Sequence, residues 1–294
     1  MQERFLNLQY NNHHQLRIRY LESHNNSEGI HRSQHLLLFI HGLGSSAERW
    51  LDIPDALSLY FRTIAVDLPG FGGSDKPSDI EYTIEAFSNI VRQFMQEVTI
   101  AEPACGNYEA KKVTLIGHSL GGYIASKIAA TDGGGFLDKL VLVDSSGNLK
   151  RPTPLLDQYL DAAMNPSREK VKNVFEQMVA NPLLISDALV RGFVDRINNP
   201  QAKFAFESAL RNSANTQIGI ENLNKIGEKG IPTLVLWGMY DRVIPVQHSE
   251  IFRHAIKDSS VIIIPQTGHA PFTEKPALAC EYLHRFLVDK KSNI

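Results

Sequence analysis

The chain of 294 residues is long enough to bury one large core, and its composition is that of an ordinary globular protein. Hydrophobic residues make up 43%, charged residues 21%, and the formal net charge is −2. This balance gives no electrostatic reason to expect nucleic acid or an anionic membrane as a partner. No apolar run reaches bilayer-spanning length, and residues 1–10 mix charged and apolar side chains, so we expect no signal peptide.

The number and spacing of the cysteines bear on the cellular compartment and on metal binding. Cys105 and Cys280 lie far apart and fit no metal-binding spacing. Two reduced thiols in a cytoplasmic protein are the favoured interpretation, and a single disulfide stays open as an alternative. We expect no cofactor and no metal. The expected partner is a small molecule, with no nucleic acid and no membrane insertion, for a monomer or a homodimer.

Along most of the chain, segments with the pattern of strands alternate with segments with the pattern of helices. Alternating segments at residues 5–8 and 16–21 flank a polar turn and predict an antiparallel hairpin at the sheet edge, followed by a polar loop over 23–34. Short apolar runs predict buried strands at residues 36–40, 63–66, 113–116, 140–143, 233–237 and 261–264. Helical periodicity occurs at residues 83–98, 120–130, 246–256 and 276–288. The pattern predicts an α/β fold, a mostly parallel sheet with helices on both faces.

One long segment breaks this alternation. From residue 148 to about 221 no strand-like run occurs, and prolines separate short helical segments rich in aromatic and long apolar residues. A helical insertion between core strands predicts a cap over the carboxyl edge of the sheet, where open α/β sheets bind ligands. The predicted core domain is therefore residues 1–147 with 222–294, and the predicted cap is residues 148–221. Three glycines at 133–135 predict a helix stop.

The most informative motif is Gly117-His118-Ser119-Leu120-Gly121, between a predicted strand and a predicted helix. In this G-x-S-x-G context the serine stands on a strained turn that exposes its hydroxyl. The two glycines lack Cβ atoms, so the strand and the helix can approach each other closely. Ser119 is therefore the predicted nucleophile. The Leu120 amide at the helix N-terminus is a predicted oxyanion donor.

A serine nucleophile needs a base, and the base needs a carboxylate that orients it. Asp241 and His269 each follow one of the last two predicted strands. The carboxyl ends of parallel strands share one edge of the sheet, so we predict that Ser119, Asp241 and His269 form a catalytic triad. Asp144 also follows a strand and stays open as the alternative acid. Asp67 precedes a glycine-rich turn and is predicted to hold it.

The loop after the third predicted strand provides the second oxyanion donor. Its sequence is His41-Gly42-Leu43-Gly44, and the glycines let the backbone approach a substrate. The Leu43 amide is the predicted donor. Four residues are predicted to contact the substrate, with the phenylalanines as walls of an apolar acyl pocket: Gly42, Phe71, His118 and Phe272.

Together these motifs resemble the α/β-hydrolase superfamily. The resemblance rests on His41-Gly42 and on residues 67–75, 117–122, 241–245 and 268–272, and it spans nearly the whole chain. It implies a serine carboxylesterase-like enzyme with a helical cap. The segment Gly268-His269-Ala270-Pro271-Phe272 is similar to that of carboxylesterases that cleave pimeloyl methyl esters. The turn that contains Ser119, between a strand and a helix, is called the elbow. Residues 100–111 form a longer link before the strand that leads into it than many relatives have.

The resemblance also narrows the substrate class. Haloalkane dehalogenases and epoxide hydrolases place an aspartate where this chain has Ser119. The C–C hydrolases of meta-cleavage products usually have Asn and Trp where this chain has His118 and Ala270. The expected reaction is hydrolysis of carboxylic esters with short-to-medium acyl chains through an acyl-enzyme. Hydrolysis of a C–C bond, a thioester or a lactone is the alternative, and a catalytically silent binding protein is a third hypothesis.

Overall fold

The computed structural model describes residues 1–11, 14–23, 35–50, 52–100, 112–132 and 135–288. Several features singled out in the sequence lie outside these ranges. They are the tip of the predicted hairpin, most of the polar loop after it, the link before the elbow strand, two of the three consecutive glycines, and Cys105. Cys280 has no disulfide partner among the described residues.

Within these ranges eight strands form one sheet in the order β1-β2-β4-β3-β5-β6-β7-β8. Their bounds are β1 Gln2–Asn11, β2 His14–Glu22, β3 His35–Ile40, β4 Arg62–Val66, β5 Lys112–His118, β6 Leu137–Val143, β7 Thr233–Gly238 and β8 Ser260–Ile264. β2 pairs antiparallel with β1 and β4, and all other neighbours pair in parallel. The predicted mostly parallel sheet with an antiparallel edge hairpin is confirmed.

Eleven α-helices occur in the described part of the chain. They are α1 Asp52–Leu57, α2 Ile84–Ile100, α3 Leu120–Thr131, α4 Pro154–Met164, α5 Arg168–Met178, α6 Asp187–Ile197, α7 Pro200–Ala214, α8 Ile220–Glu228, α9 Ser249–Ala255, α10 Pro271–Glu274 and α11 Pro276–Val288. Short 3-10 helices cover Ala47–Trp50, Pro182–Leu184 and Val246–His248. The predicted helix over 246–256 is therefore a 3-10 turn followed by α9. No helix among the described residues is long and apolar enough to cross a membrane.

The core lies on both faces of the sheet, because successive strand residues point to opposite sides. All six residues of β3 are buried, as its continuous apolar run predicts. Leu38 packs in the cluster that contains Ile124 of α3, whereas Phe39 packs in the cluster that contains Phe286 of α11. The predicted helical layers on both faces are confirmed.

Helices α4 to α7 are inserted between β6 and β7 and contact the loops at the carboxyl ends of the strands. The Tyr159 hydroxyl on α4 donates to the Leu43 carbonyl over 3.2 Å. The last helix before β7, α8, packs instead on α3. Lys229, just after α8, donates hydrogen bonds to the carbonyls of Ala129 and Ala130. The predicted cap boundary at residue 221 thus falls inside a helix that belongs to the core layer.

Candidate active site

Ser119 lies at the turn between β5 and α3 in a strained backbone conformation. Its φ of 52° and ψ of −115° lie in a region that L-residues rarely adopt. The Ser119 N–H donates to the Val143 carbonyl over 3.0 Å, and the Ser119 carbonyl accepts from the Gly122 N–H over 2.9 Å. The N–H and the hydroxyl of Ser146 donate to the same carbonyl, each over 3.1 Å. The end of β6 and the loop after it therefore hold the strained serine in place.

Two glycines permit the close approach of β5 and α3 at this turn. A Cβ atom on Gly117 would collide with the carbonyl oxygen of Gly121, and a Cβ atom on Gly121 would collide with the carbonyl oxygen of Ile40. Both obstacles are backbone atoms, which cannot turn aside as a flexible side chain can. The glycine requirement inferred from the motif therefore has a direct steric cause.

His269 and Asp241 are joined by a buried hydrogen bond. The His269 Nδ1 and Asp241 Oδ2 atoms are 2.8 Å apart, which makes Nδ1 the donor to the carboxylate. The other oxygen, Asp241 Oδ1, accepts the N–H groups of Val243 and Ile244 over 2.8 and 3.0 Å. The His269 N–H donates to the Met178 carbonyl at the end of α5 over 2.7 Å. The loops after β7 and β8 thus fix the tautomer and the orientation of the ring, and Nε2 is left for another partner.

Asp144, the alternative acid, is fully buried beside Asp241. One of its oxygens accepts the Gly238 N–H over 2.8 Å, and no donor among the described residues reaches the other. Burial and the negative charge of Asp241 raise the pKa of the Asp144 carboxyl well above its ordinary value. Asp241 lies within reach of the second oxygen, which donates to it when that oxygen carries a proton. The contact to the His269 ring belongs to Asp241.

His118, the residue before the candidate nucleophile, is buried and neutral. Desolvation, followed by the charge of His269, lowers the pKa of His118 well below its ordinary value. Its Nε2–H donates to the His269 carbonyl over 2.6 Å. A Cβ atom on Gly42 would lie only 2.9 Å from the His118 Nδ1 atom. His118 therefore supports the backbone of the His269 loop and packs closely against Gly42.

The glycine-rich turn after β4 is held by Asp67, which confirms the role predicted for this residue. Its carboxylate accepts hydrogen bonds of 2.7 to 2.8 Å from three donors: the N–H groups of Ala47 and Gly73 and the guanidinium of Arg19. His41 links the same turn to the loop after β3, because its Nε2 accepts the Leu68 N–H over 3.0 Å. These bonds fix the loop that contains the predicted oxyanion donor.

The two predicted oxyanion donors come from that loop and from the first turn of α3. Among the described residues, no acceptor lies within hydrogen-bond distance of the Leu43 or Leu120 N–H. Leu43 and Gly42 line the same cavity as Ser119. Leu120 is buried and is not part of this lining, so the oxyanion roles of the Leu43 and Leu120 N–H groups stay predictions.

A cavity of about 500 Å³ borders Ser119 and His269, a size typical of small-molecule sites. Most of its apolar wall comes from the insertion, and the inserted helices contribute Leu156, Tyr159, Phe175, Met178, Leu189 and Phe193. Four charged residues also line it: Arg19, Glu48, Arg49 and Arg196. Gly42 and His118 also line the cavity, and their contact with a substrate stays a prediction.

The two phenylalanines predicted as pocket walls are instead core residues. Phe71 is 5% exposed and packs edge-on against His41 with ring centroids 5.8 Å apart. Phe272 is 3% exposed and stacks on Trp50 at 4.2 Å. Neither ring lines the cavity, because each loop turns its aromatic side chain toward the sheet. Phe71 and Phe272 lie next to sequence motifs of the site, but this position does not determine which way their side chains point.

Three of the buried side chains could offer atoms to a metal ion. His118, Asp144 and His269 place one nitrogen or oxygen atom each within 4.8 Å of the others. Protein partners already engage one nitrogen of each ring, Nδ1 of His269 and Nε2 of His118. The expectation that the protein needs no metal stays a prediction.

Sequence reasoning missed three charged residues near the cavity. Arg49 lies on the 3-10 helix after the oxyanion loop, and Arg196 lies near the end of α6. Glu274 on α10 accepts the N–H groups of Gly268 and Ala180, each over 2.7 Å, and so ties the His269 loop to the end of α5. Their roles depend on contacts between distant elements, so no local pattern marks them.

Comparisons with known proteins agree with this architecture. A family profile described as the alpha/beta hydrolase fold matches residues 35–276. The pimeloyl-[acyl-carrier protein] methyl ester esterase of Wigglesworthia glossinidia brevipalpis is 31% identical over 268 residues, covering 87% of this chain and 94% of that protein. The 2-hydroxy-6-oxo-6-(2'-aminophenyl)hexa-2,4-dienoic acid hydrolase of Metapseudomonas resinovorans is 26% identical, covering 82% of this chain and 79% of that protein.

Solved structures show the same likeness. A membrane phospholipase A, described as a bacterial virulence factor, superposes with a TM-score of 0.77 and 27% identity, covering 97% of this chain and 86% of that chain. The match extends over the sheet, the elbow and the inserted helices. The chain belongs to the α/β hydrolase fold family.

Proposed function

We propose that this protein hydrolyses carboxylic esters of short-to-medium acyl chains through an acyl-enzyme intermediate. The observation that carries the proposal is the buried 2.8 Å hydrogen bond between Asp241 and His269 at the cavity that also contains Ser119. A strained serine, an oriented imidazole and a buried carboxylate are the three groups that nucleophilic acyl transfer requires. The esterase relative supports the same reaction class.

The proposed roles follow from the contacts of each residue. Ser119 Oγ attacks the acyl carbon while His269 Nε2 takes its proton, and Asp241 stabilises the resulting imidazolium. The N–H groups of Leu43 and Leu120 bind the oxyanion. His269 then gives the proton to the leaving alcohol, and a water molecule, activated by the same histidine, releases the acid.

We further propose that residues 148–221 act as a cap over this site, with helices α4 to α7 as its working part. The support is that α4, α5 and α6 supply the apolar cavity wall, and that Met178 at the end of α5 accepts the His269 N–H. A cap of this kind excludes water from the acyl group and limits the length of the acyl chain.

The hydrogen bond that His118 makes favours hydrolysis of esters over cleavage of the C–C bond of meta-cleavage products. The only donor nitrogen of His118 is already bonded to the His269 carbonyl, so it cannot offer that hydrogen bond to a substrate oxygen. Ala270, after the triad histidine, has no polar side chain to replace it. Cleavage of a C–C bond, a thioester or a lactone remains the alternative.

A side-by-side kinetic comparison tests the proposal. We expect kcat/KM for p-nitrophenyl butyrate to exceed that for a meta-cleavage dienoate, and Ser119→Ala to lower kcat on the ester about 10⁴-fold or more. Ser58→Ala, which removes a hydroxyl bonded to Asp55 far from the cavity, is the matched control. A larger kcat/KM for the dienoate would replace the esterase proposal with the C–C hydrolase alternative.

A further inference from the structure

Two arginines of the cavity lining have no counter-ion in the described part of the chain. Arg49 is half-buried and Arg196 is more exposed, and both residues line the cavity that contains Ser119. No carboxylate oxygen of the described residues lies within 4.0 Å of either guanidinium, whereas Arg19 of the same lining pairs with Glu48 and Asp67. Of the charged residues that line this cavity, Arg49 and Arg196 are therefore the ones without an ion pair to any described residue.

Two acidic groups close to Arg49 are already engaged. Glu48 lines the cavity, but its carboxylate forms a 2.6 Å ion pair with Arg19. Glu274 attracts Arg49 from beyond ion-pair distance, while its own oxygens accept the N–H groups of Gly268 and Ala180. Neither carboxylate can turn to Arg49 without giving up these bonds.

Placing Arg49 and Arg196 at one cavity without a counter-ion costs free energy. Burial lowers the pKa of the Arg49 guanidinium, and the positive charge of Arg196 lowers it further. Two like charges at one partly desolvated cavity repel each other more strongly than they would in water. An anion bound between them would remove this repulsion and would accept charge-assisted hydrogen bonds from both planar guanidinium groups.

We infer that Arg49 and Arg196 form a subsite that binds a carboxylate or phosphate group of the substrate, so that the preferred substrates are esters with an anionic group. The inference rests on the proposed ester hydrolysis and adds the substrate class. The apolar wall from α4, α5 and α6 accommodates the hydrocarbon part of such a molecule, and the arginines hold its charged end. One cavity of about 500 Å³ has room for both parts.

Matched esters test this subsite. The neutral reference is p-nitrophenyl pentanoate. Mono-p-nitrophenyl glutarate places a carboxylate on the acyl side, and m-carboxy-p-nitrophenyl pentanoate places one on the alcohol side. We expect kcat/KM for one of the charged esters to exceed that for the neutral ester about tenfold or more, mainly through KM. Glutarate and inorganic phosphate, tested as competitive inhibitors of the neutral ester, show which anion fits better.

Variants assign the preference to the two arginines. Arg49→Gln and Arg196→Gln should reduce the charged-to-neutral ratio of kcat/KM about tenfold, and Arg49→Lys and Arg196→Lys should recover part of it because they keep the charge. Arg191→Gln, on the exposed side of α6 and away from the cavity, is the matched control and should keep the wild-type ratio. In the wild-type protein, raising salt from about 20 mM to about 500 mM should lower the ratio, a test that needs no variant.

The outcomes separate this inference from the function on which it rests. If the neutral ester is hydrolysed but neither charged ester is preferred, or if the arginine variants change both substrates equally, the anion subsite is wrong and ester hydrolysis stands. If no ester is hydrolysed and a fluorophosphonate does not label Ser119, the proposed function itself fails.

Discussion

Two buried carboxyls beside one histidine divide their contacts in a way that assigns their roles. One oxygen of Asp241 accepts from the His269 ring, and the other accepts from two backbone N–H groups. Asp144 accepts the Gly238 N–H, and burial together with the negative charge of Asp241 raises the pKa of its carboxyl well above the ordinary value. We therefore expect Asp241 to orient His269 and Asp144 to support Asp241.

Substitution of each aspartate tests this division. Asp241→Asn should lower kcat/KM on esters about 10⁴-fold, because an amide fixes the wrong tautomer of His269. Asp144→Asn should lower it less than about tenfold, since an amide also donates a hydrogen bond where the neutral carboxyl did. The measurement is steady-state kinetics on p-nitrophenyl butyrate. The opposite ranking would make Asp144 the triad acid.

The pKa of Asp144 also makes stability depend on pH. An unfolded aspartate loses its proton near pH 3.9, whereas folded Asp144 keeps its proton to higher pH. Between these two pKa values the unfolded state binds fewer protons, so the free energy of unfolding falls as pH rises, by at most about 1.4 kcal/mol per pH unit. Asp144→Asn removes this loss.

Denaturant titrations of both proteins measure the effect. The free energy of unfolding of Asp144→Asn, relative to that of the wild type, should increase from about pH 4.5 to about pH 7. A relative stability that is constant over this range would show that Asp144 is ionised in the folded protein.

Among the strands and helices, the sequence correctly predicted the features that depend only on neighbouring residues. The apolar run of β3 predicted a strand buried on both faces, and the G-x-S-x-G spacing predicted the elbow between β5 and α3, because each depends on neighbours a few residues away. The helices α1 and α10 were missed, since fewer than two turns carry too little periodicity. The directions of Phe71 and Phe272 depend on packing between distant elements, which no local pattern contains.

The elbow glycines provide a prediction at this scale. Gly121→Ala should lower the free energy of unfolding by at least about 2 kcal/mol, because the new methyl group meets the backbone carbonyl of Ile40. Gly192→Ala, inside α6, is the matched control: the nearest atom is the flexible end of Arg196, 3.3 Å away. There the better helix propensity of alanine should raise stability by up to about 1 kcal/mol. Thermal or denaturant unfolding of both variants gives the comparison, and equal effects would contradict the steric argument.

The inserted helices α4 to α7 lead to a prediction about the length of the acyl chain. Each methylene of the acyl chain that the cavity buries should add about 0.8 kcal/mol of transition-state binding, so kcat/KM should rise about fourfold per carbon and then fall for chains that exceed the cavity. Phe175→Trp enlarges a side chain of the wall and should shift the optimum to shorter chains. Phe204→Trp, on an exposed position of α7 outside the lining, should leave the optimum unchanged. A profile without an optimum would argue against a cap that limits chain length.

In the whole molecule, the site depends on two layers that come from distant parts of the chain. The loops of the core sheet place Ser119, Asp241 and His269 at one edge, and the insertion supplies the wall of the cavity and a backbone acceptor for His269 at Met178. The arginines that we assign to an anion subsite likewise come from both layers, Arg49 from the core and Arg196 from the insertion. The cavity exists only where the two layers meet.

The most direct test of the central claim is covalent labelling of Ser119. Intact-protein and peptide mass spectrometry after reaction with a fluorophosphonate should show one adduct per chain, located on Ser119, because only an activated serine reacts readily with this reagent. Ser119→Ala should not react, and His269→Ala should react far more slowly, while both remain folded by circular dichroism. An adduct on another residue, or a folded wild-type protein that stays unlabelled, would contradict the assignment of Ser119 as the nucleophile.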